Sequence, residues 1–87
     1  MKRNPDFLLR DVADSLILVP VGEATRKFPG MVTMNATSAF LWAQLEQEQT
    51  PQSLVQALQA EYDVEEALAA ADVQKFLDKL VEIGAIL

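Results

Sequence analysis

The chain contains no cysteine and no histidine. The first absence excludes disulfides and thiol nucleophiles, and the second excludes imidazole bases. Together they exclude zinc sites built from Cys or His and iron–sulfur ligation. Glycine occurs three times, always singly, so there is no Gly-rich loop to cradle a phosphate. No apolar run approaches the roughly 18–20 residues of a membrane span. The start Met1-Lys2-Arg3-Asn4-Pro5-Asp6 precedes too short an apolar stretch for a signal peptide. The expectation is a soluble, cytoplasmic protein with no membrane partner, no cofactor, no metal and no catalysis of its own. What is present suffices for one modest core: 51% of the 87 residues are apolar and 23% charged. A single domain spanning residues 1–87 is expected.

The net charge of −6 is unevenly placed. Residues 1–34 sum to +1, with Lys2, Arg3, Arg10, Arg26 and Lys27 against Asp6, Asp11, Asp14 and Glu23. Residues 35–87 sum to −7, with only Lys75 and Lys79 against nine acids. Nucleic-acid binding draws most of its affinity from cations meeting phosphates, so the second half is repelled. An acidic surface suits solubility or a basic partner.

The pattern changes period once, near Asn35. Before it lie short β-rich runs, Phe7-Leu8-Leu9, Leu16-Ile17-Leu18-Val19 and Met31-Val32-Thr33-Met34, bounded by Ala13-Asp14-Ser15, Pro20-Val21-Gly22 and Pro29-Gly30. The first two predict an antiparallel hairpin. Pro29-Gly30 fits the central positions of a type II turn leading into the third strand. After Asn35 the spacing is helical. Asn35 is an N-cap for a helix to about Leu45, and Thr50-Pro51 places a cap and a first-turn proline ahead of Leu54, Val55 and Leu58. Asp63 with Glu66 resembles a capping box for a third helix of about twenty residues that Gly84 terminates. Strands first and helices after predict an α+β domain of winged helix-turn-helix type, with three short antiparallel strands followed by three helices.

On the last helix, Ala69, Val73, Phe76, Leu77, Leu80, Val81 and Ile83 span an arc of about 160°, wider than the ~100° that one packed layer needs. Contact with a second surface would account for the excess. Leu68 lies on a flank with Asp72, Lys75 and Lys79, as an incidental exposed leucine or as the edge of an open groove. Phe40, Trp42 and Tyr62 are read as core residues.

Three motifs yield to structural explanations. Asp14-Ser15-Leu16 resembles the phosphopantetheine site of acyl carrier proteins, but no helix precedes it, and a hairpin turn explains it better. Residues 51–62 and 64–83 could form a DNA-binding helix pair, yet the second helix carries a charge of −3 and no arginine to read guanine. Glu65-Glu66 lacks EF-hand spacing, and acids at a helix start complement the macrodipole. The third strand is more informative. It is expected at a sheet edge and contains no charge, whereas exposed edges are normally charged or covered. A covering helix, a dimer mate or an added peptide strand would each explain it. Flexible Met31 and Met34 would suit an adaptable pocket.

The run Leu18-Val19-Pro20-Val21-Gly22-Glu23-Ala24, then Phe28-Pro29-Gly30-Met31, then Met34-Asn35-Ala36-Thr37-Ser38-Ala39-Phe40-Leu41-Trp42 resembles the PqqD-like family. So do Thr50-Pro51, Leu54-Val55, Leu58, Glu61-Tyr62-Asp63, Asp72-Val73, Phe76-Leu77, Leu80 and Gly84. The resemblance implies a recognition element of ribosomally made, post-translationally modified peptide pathways, that is, a non-catalytic peptide chaperone. Such a protein binds the leader segment of a precursor peptide and presents it to a modifying enzyme, often a radical SAM protein. By position, the resemblance assigns peptide binding to Met31, Val32, Thr33 and Met34, with Leu68, Asp72, Lys75, Phe76 and Lys79 on the last helix. Replacing Val32 with proline is expected to abolish peptide binding if the Val32 amide faces the open edge. The link from Val21 to Gly30 is longer than in members serving pyrroloquinoline quinone synthesis and lacks their Pro-Glu-Gly-like segment. A different peptide natural product is therefore expected. A DNA-binding winged helix, or a structural homodimer paired through the third strand, are the alternatives.

Overall fold

A computed structural model describes residues 1–27 and 30–87. Strand β1 (Phe7–Val12) and strand β2 (Ser15–Pro20) form an antiparallel hairpin. Its turn is the two-residue Ala13-Asp14, with φ of 50° and 70°. Two consecutive positive φ values match the right-handed twist of the flanking strands, and Asp tolerates that region better than most residues. Ser15 accordingly opens a strand and does not begin a helix. A helical turn not foreseen from the sequence, α1 (Ala24–Lys27), occupies the long link to strand β3 (Val32–Met34). Just ahead of it, Gly22 holds a left-handed φ of +59° that suits a residue without Cβ. The expected Pro29-Gly30 turn lies outside the described residues.

The sheet order is β1-β2-β3, all antiparallel, which leaves β3 at an edge as the sequence indicated. Three helices follow: α2 (Ala36–Gln44), α3 (Pro51–Glu61) and α4 (Glu66–Ile83). Asn35 caps α2 by accepting from the Ser38 N–H at 2.8 Å. Thr50 and Ser53 form a reciprocal capping box on α3, with Pro51 in the first turn. The α4 start departs from expectation. Glu65 occupies the cap position with no side-chain hydrogen bond, so Asp63 and Glu66 make no capping box, and the helix has 18 residues. At its other end Gly84 adopts the left-handed conformation at φ 77°, as a terminating glycine should.

Leu18 of the central strand meets Leu41 and Leu45, Leu54 and Leu58, and Val73 and Leu80 in one core, together with Trp42. Two expectations are corrected here. Tyr62 is 36% exposed, standing edge-on to Phe40 with ring centroids 5.8 Å apart at the rim of the core. Val81 is 66% exposed, so the buried arc of α4 narrows to about 120°. Phe40 itself is half-buried against the core, and Trp42 is 2% exposed.

The two ends of the chain close the base of the molecule. Arg3 bridges Ile86, the Asn4 N–H donates to the Ala85 carbonyl at 2.8 Å, and the Leu87 N–H donates to the Lys2 carbonyl at 2.8 Å. The Met1 ammonium bonds Glu48 at 2.6 Å and the Gln49 carbonyl at 2.8 Å. These contacts tie residues 1–4 to the α2–α3 connection and to the strand-like tail after α4.

Candidate functional site: a cleft between the β3 edge and α4

The ladder dictates which backbone groups of β3 are free. The Val21 N–H donates to the Asp6 carbonyl at 2.7 Å, so 6 and 21 are a hydrogen-bonded pair in the β1–β2 register. Bonded pairs alternate in an antiparallel ladder, and each strand's residues alternate between its two neighbours. Residues 15, 17 and 19 of β2 therefore bond β1, while Leu16 and Leu18 turn their amides toward β3. Their partners Met34 and Val32 are consumed in that ladder. Thr33 is left with its N–H and C=O directed outward, and neither has a partner among the described residues. The Val32 amide faces β2, so the condition for the Val32 proline test is not met and Thr33 takes its place. One residue of register separates the two readings.

A cleft of about 260 Å³ opens beside this edge. Val32, Thr33 and Met34 form one side, Thr37, Ser38 and Leu41 of α2 close one end, and Asp72, Lys75, Phe76, Lys79 and Leu80 of α4 form the other side. Met34, Leu41, Phe76 and Leu80 are buried and give the cleft an apolar floor. Its rim is polar. Lys75 and Lys79 are exposed and Asp72 is half-buried. Lys79 lies 4.0 Å from Glu82, a long and solvated pair, and Lys75 has no ion-pair partner among the described residues. Two cations and one anion thus make this rim locally positive in a chain of net charge −6.

Of the nine residues assigned from the sequence, the structure brings Val32, Thr33, Met34, Asp72, Lys75, Phe76 and Lys79 around this cleft. Met31 and Leu68 are outside its lining, 68% and 51% exposed. Leu68 sits one turn before Asp72 on the same flank of α4. Sequence reasoning missed Asn35, Thr37, Ser38, Leu41 and Leu80 as lining residues. Leu41 and Leu80 carried only the signal of core leucines, and the helix cap that places Thr37 and Ser38 says nothing about what they face. The wide apolar arc was also a misleading reason for a groove. Val81, which widened it, lies on the opposite flank of α4 from Lys75 and Lys79.

A second cleft, of about 450 Å³, lies at the β1 side between Pro5, Phe7, Leu8 and Leu9 and the end of α2 at Trp42, Ala43 and Glu46. The Arg3 guanidinium occupies its border, 5.7 Å from the Trp42 ring centroid and donating to the Trp42 carbonyl at 3.4 Å. No group of three or more His, Cys, Asp or Glu side chains placed to hold a metal occurs among the described residues. No helix among them is long and apolar enough to cross a membrane.

The family described as Coenzyme PQQ synthesis protein D (PqqD) matches residues 16–86. The chain belongs to the PqqD family. Two solved structures share the fold. One, described as TbiB1 in complex with the TbiA(beta) leader peptide, superposes with a TM-score of 0.75 at 22% identity, over 98% of this chain and 93% of that one. The other, a lasso peptide synthetase B1 complexed with the leader peptide, gives a TM-score of 0.74 at 23% identity, over 99% of this chain and 95% of the other. No curated protein matches in sequence. The match to the family begins in β2 and runs through β3 and α4, so both sides of the cleft fall inside it.

Proposed function

We propose that this PqqD-family protein is a non-catalytic peptide chaperone that binds the leader segment of a ribosomally made precursor peptide as a fourth strand beside β3. The observation that carries the reading is the pairing of an open, uncharged edge at Thr33 with an apolar-floored cleft against α4. An extended peptide beside β3 exchanges backbone hydrogen bonds with Thr33. The residue opposite Thr33 points to the outer face of the sheet, and its two neighbours point inward over Met34, Phe76 and Leu80. Lys75 and Lys79 meet an acidic leader residue, with Asp72 as a polar stop between them and the strand. Met31 and Leu68 extend the contact beyond the cleft. Both similar folds are described in complex with a leader peptide, which supports a leader as the ligand.

The bound leader is then offered to a peptide-modifying enzyme, a radical SAM protein or one of another class, in the cytoplasm. The product is a peptide natural product other than the quinone cofactor, in keeping with the long β2–β3 link. DNA binding is disfavoured by the sign of the helical half, whose recognition-helix equivalent, α4, is acidic.

The test is an amide chemical-shift titration with the leader of a short peptide encoded beside this chain. Shifts concentrated at Thr33–Asn35 and along Asp72–Leu80 are expected. Shifts confined to other surfaces would overturn the site. A saturating leader that moves no amide, together with a concentration-dependent mass in light scattering, would instead favour a homodimer closed through β3.

A further inference from the structure

The rim of the β3–α4 cleft carries two signs of charge, and they are separated along α4. Asp72 is the one acidic side chain lining the cleft, ahead of Lys75 and Lys79 on the same helix. It is half-buried and has no hydrogen-bond or ion-pair partner among the described residues. Lys75 stands one turn further on, a spacing that suits an ion pair, yet the two form none. On another flank of the helix, by contrast, Asp78 accepts from the Gln74 side-chain amide at 2.7 Å. Asp72 is therefore a carboxylate that the fold itself leaves unused, beside a strand edge that is also open. Helical rise sets Asp72 about 7.5 Å along the axis from the midpoint of the two lysines. Alternate residues of an extended strand are about 7 Å apart, so the two ends of the rim match two same-face positions of one peptide.

The fold also fixes which way this gradient runs. Helix α4 ends at the base of the molecule, where Asn4 donates to the Ala85 carbonyl at 2.8 Å and the Gly84 carbonyl at 3.0 Å. That base is the Phe7–Pro20 end of the sheet, and pairing of Leu18 with Val32 and Leu16 with Met34 puts Val32 nearer to it. Asp72 thus lies toward the Met34 end of the cleft and Lys79 toward the Val32 end.

We propose that this rim reads charge order in the bound leader, selecting a basic residue followed two positions later by an acidic one. The inference rests on strand addition at Thr33. Thr33 exchanges both of its hydrogen bonds with a single peptide residue only in an antiparallel pair. The leader residue before that partner then lies beside Met34, and the residue after it beside Val32. Both point inward, with their stems on the apolar floor and their charged heads at the rim. The first head meets Asp72 and the second meets Lys75 and Lys79. In the reversed order like charges meet at both ends, which opposes binding. A leader that is acidic at both positions is repelled by Asp72, so the carboxylate adds specificity by rejection. Asp72 is in this way a specificity-determining residue, and charge order joins backbone pairing in setting strand direction.

The experiment uses the leader of the short peptide encoded beside this chain, with the residue opposite Thr33 located by interstrand amide Overhauser contacts. The two residues flanking that position are made Lys and Glu, Glu and Lys, or Gln and Gln, in chain order, and affinities are measured by fluorescence polarisation. At low salt the Lys-then-Glu leader should bind roughly tenfold tighter than the Glu-then-Lys leader, with the Gln leader between them and the gap closing as salt rises. In the double variant Asp72→Lys with Lys79→Glu, checked for folding by circular dichroism, the preference should reverse. Equal affinities for all three leaders, a preference for Glu-then-Lys in the unmodified protein, or a preference unchanged by the double variant would each overturn the charge reading. The Gln leader reads strand addition alone: its binding keeps that function whatever the charged leaders do, and failure of all three to bind overturns both.

Discussion

The two edges of the sheet pose the same physical problem and meet it differently. At β3 the strand is three residues long, carries no charge, and leaves the Thr33 amide and carbonyl open beside an apolar cleft with lysines on its rim. At β1 the strand is six residues long and includes Arg10 and Asp11. The cleft beside β1 is bordered by Arg3, which lies over Trp42 and bonds its carbonyl. Charged residues on an edge discourage pairing with another strand, because their desolvation opposes it. The β1 edge is thus defended and its cleft bordered by its own arginine, whereas the β3 edge is left undefended beside an apolar-floored cleft. A helix beside an open edge is not sufficient for strand addition. What distinguishes the edge suited to a peptide is the absence of a guard.

Four tests would break or sharpen that contrast. The largest effect is expected from Trp42→Ala. Trp42 walls the β1-side cleft but is only 2% exposed, so its removal should lower stability by about 3–5 kcal/mol in urea unfolding. The β1-side cleft would thereby prove to be part of the core. Next is a matched pair of prolines. Thr33→Pro removes the outward donor at β3 without breaking the ladder to β2, since proline is tolerated where the N–H faces away from the sheet. Leader affinity should fall about 100-fold, or about 2.7 kcal/mol, by isothermal titration. The counterpart Leu9→Pro, at an outward amide of β1, should leave leader affinity unchanged in the same measurement. An equal loss from both would erase the distinction between the edges.

Third, the double variant Lys75→Glu with Lys79→Glu should weaken leader binding about tenfold at low salt, with the difference shrinking as salt rises, since these rim charges are solvated. A loss independent of salt would mean that the lysines act through packing of their stems. The smallest effect is expected from Arg3→Met, which keeps an apolar stem over Trp42 and removes the cation. It should reduce stability by about 0.5–1 kcal/mol in thermal or urea unfolding, with leader affinity unchanged. A gain in leader or enzyme binding in that variant would show that Arg3 blocks the second cleft.

Much of the fold was legible locally. Asn35, Thr50-Pro51 and Gly84 announced three of the helix ends, because capping is settled by residues within one turn. The hairpin was legible because turn residues fell between two β-rich runs. The missed features have local reasons too. Helix α1 is four residues long, too short to show a period, and is held by Val21, Gly22 and Glu23 carbonyls accepting from successive amides at 3.2 Å. Asp63 looked like a cap because the periodic residues begin soon after it, but the chain stays extended until Glu65. Tyr62 looked like core because its neighbours in sequence are helical, yet it stands at the end of α3, where the helix leaves the core.

The site divides in the same way. That β3 is short, charge-free and last in its sheet could be read from Met31-Val32-Thr33-Met34 and the order of the elements. That Lys75 and Lys79 share a flank of one helix follows from their spacing. Composition alone removed thiol, imidazole and Cys/His-metal chemistry, and the charge split set the helical half against nucleic acid. What the sequence could not decide is everything that depends on parity and on packing between distant segments. Whether Val32 or Thr33 offers its amide turns on a one-residue register with β2, fixed only when the whole hairpin and its turn are in place. Whether the lysine flank of α4 opens onto β3 or onto solvent depends on how Leu41, Phe76 and Leu80 pack together from two helices. Local residues choose the elements because caps, turns and periodicity act over a few positions. The cleft exists only where those elements meet, and that meeting is set by burial shared across the chain.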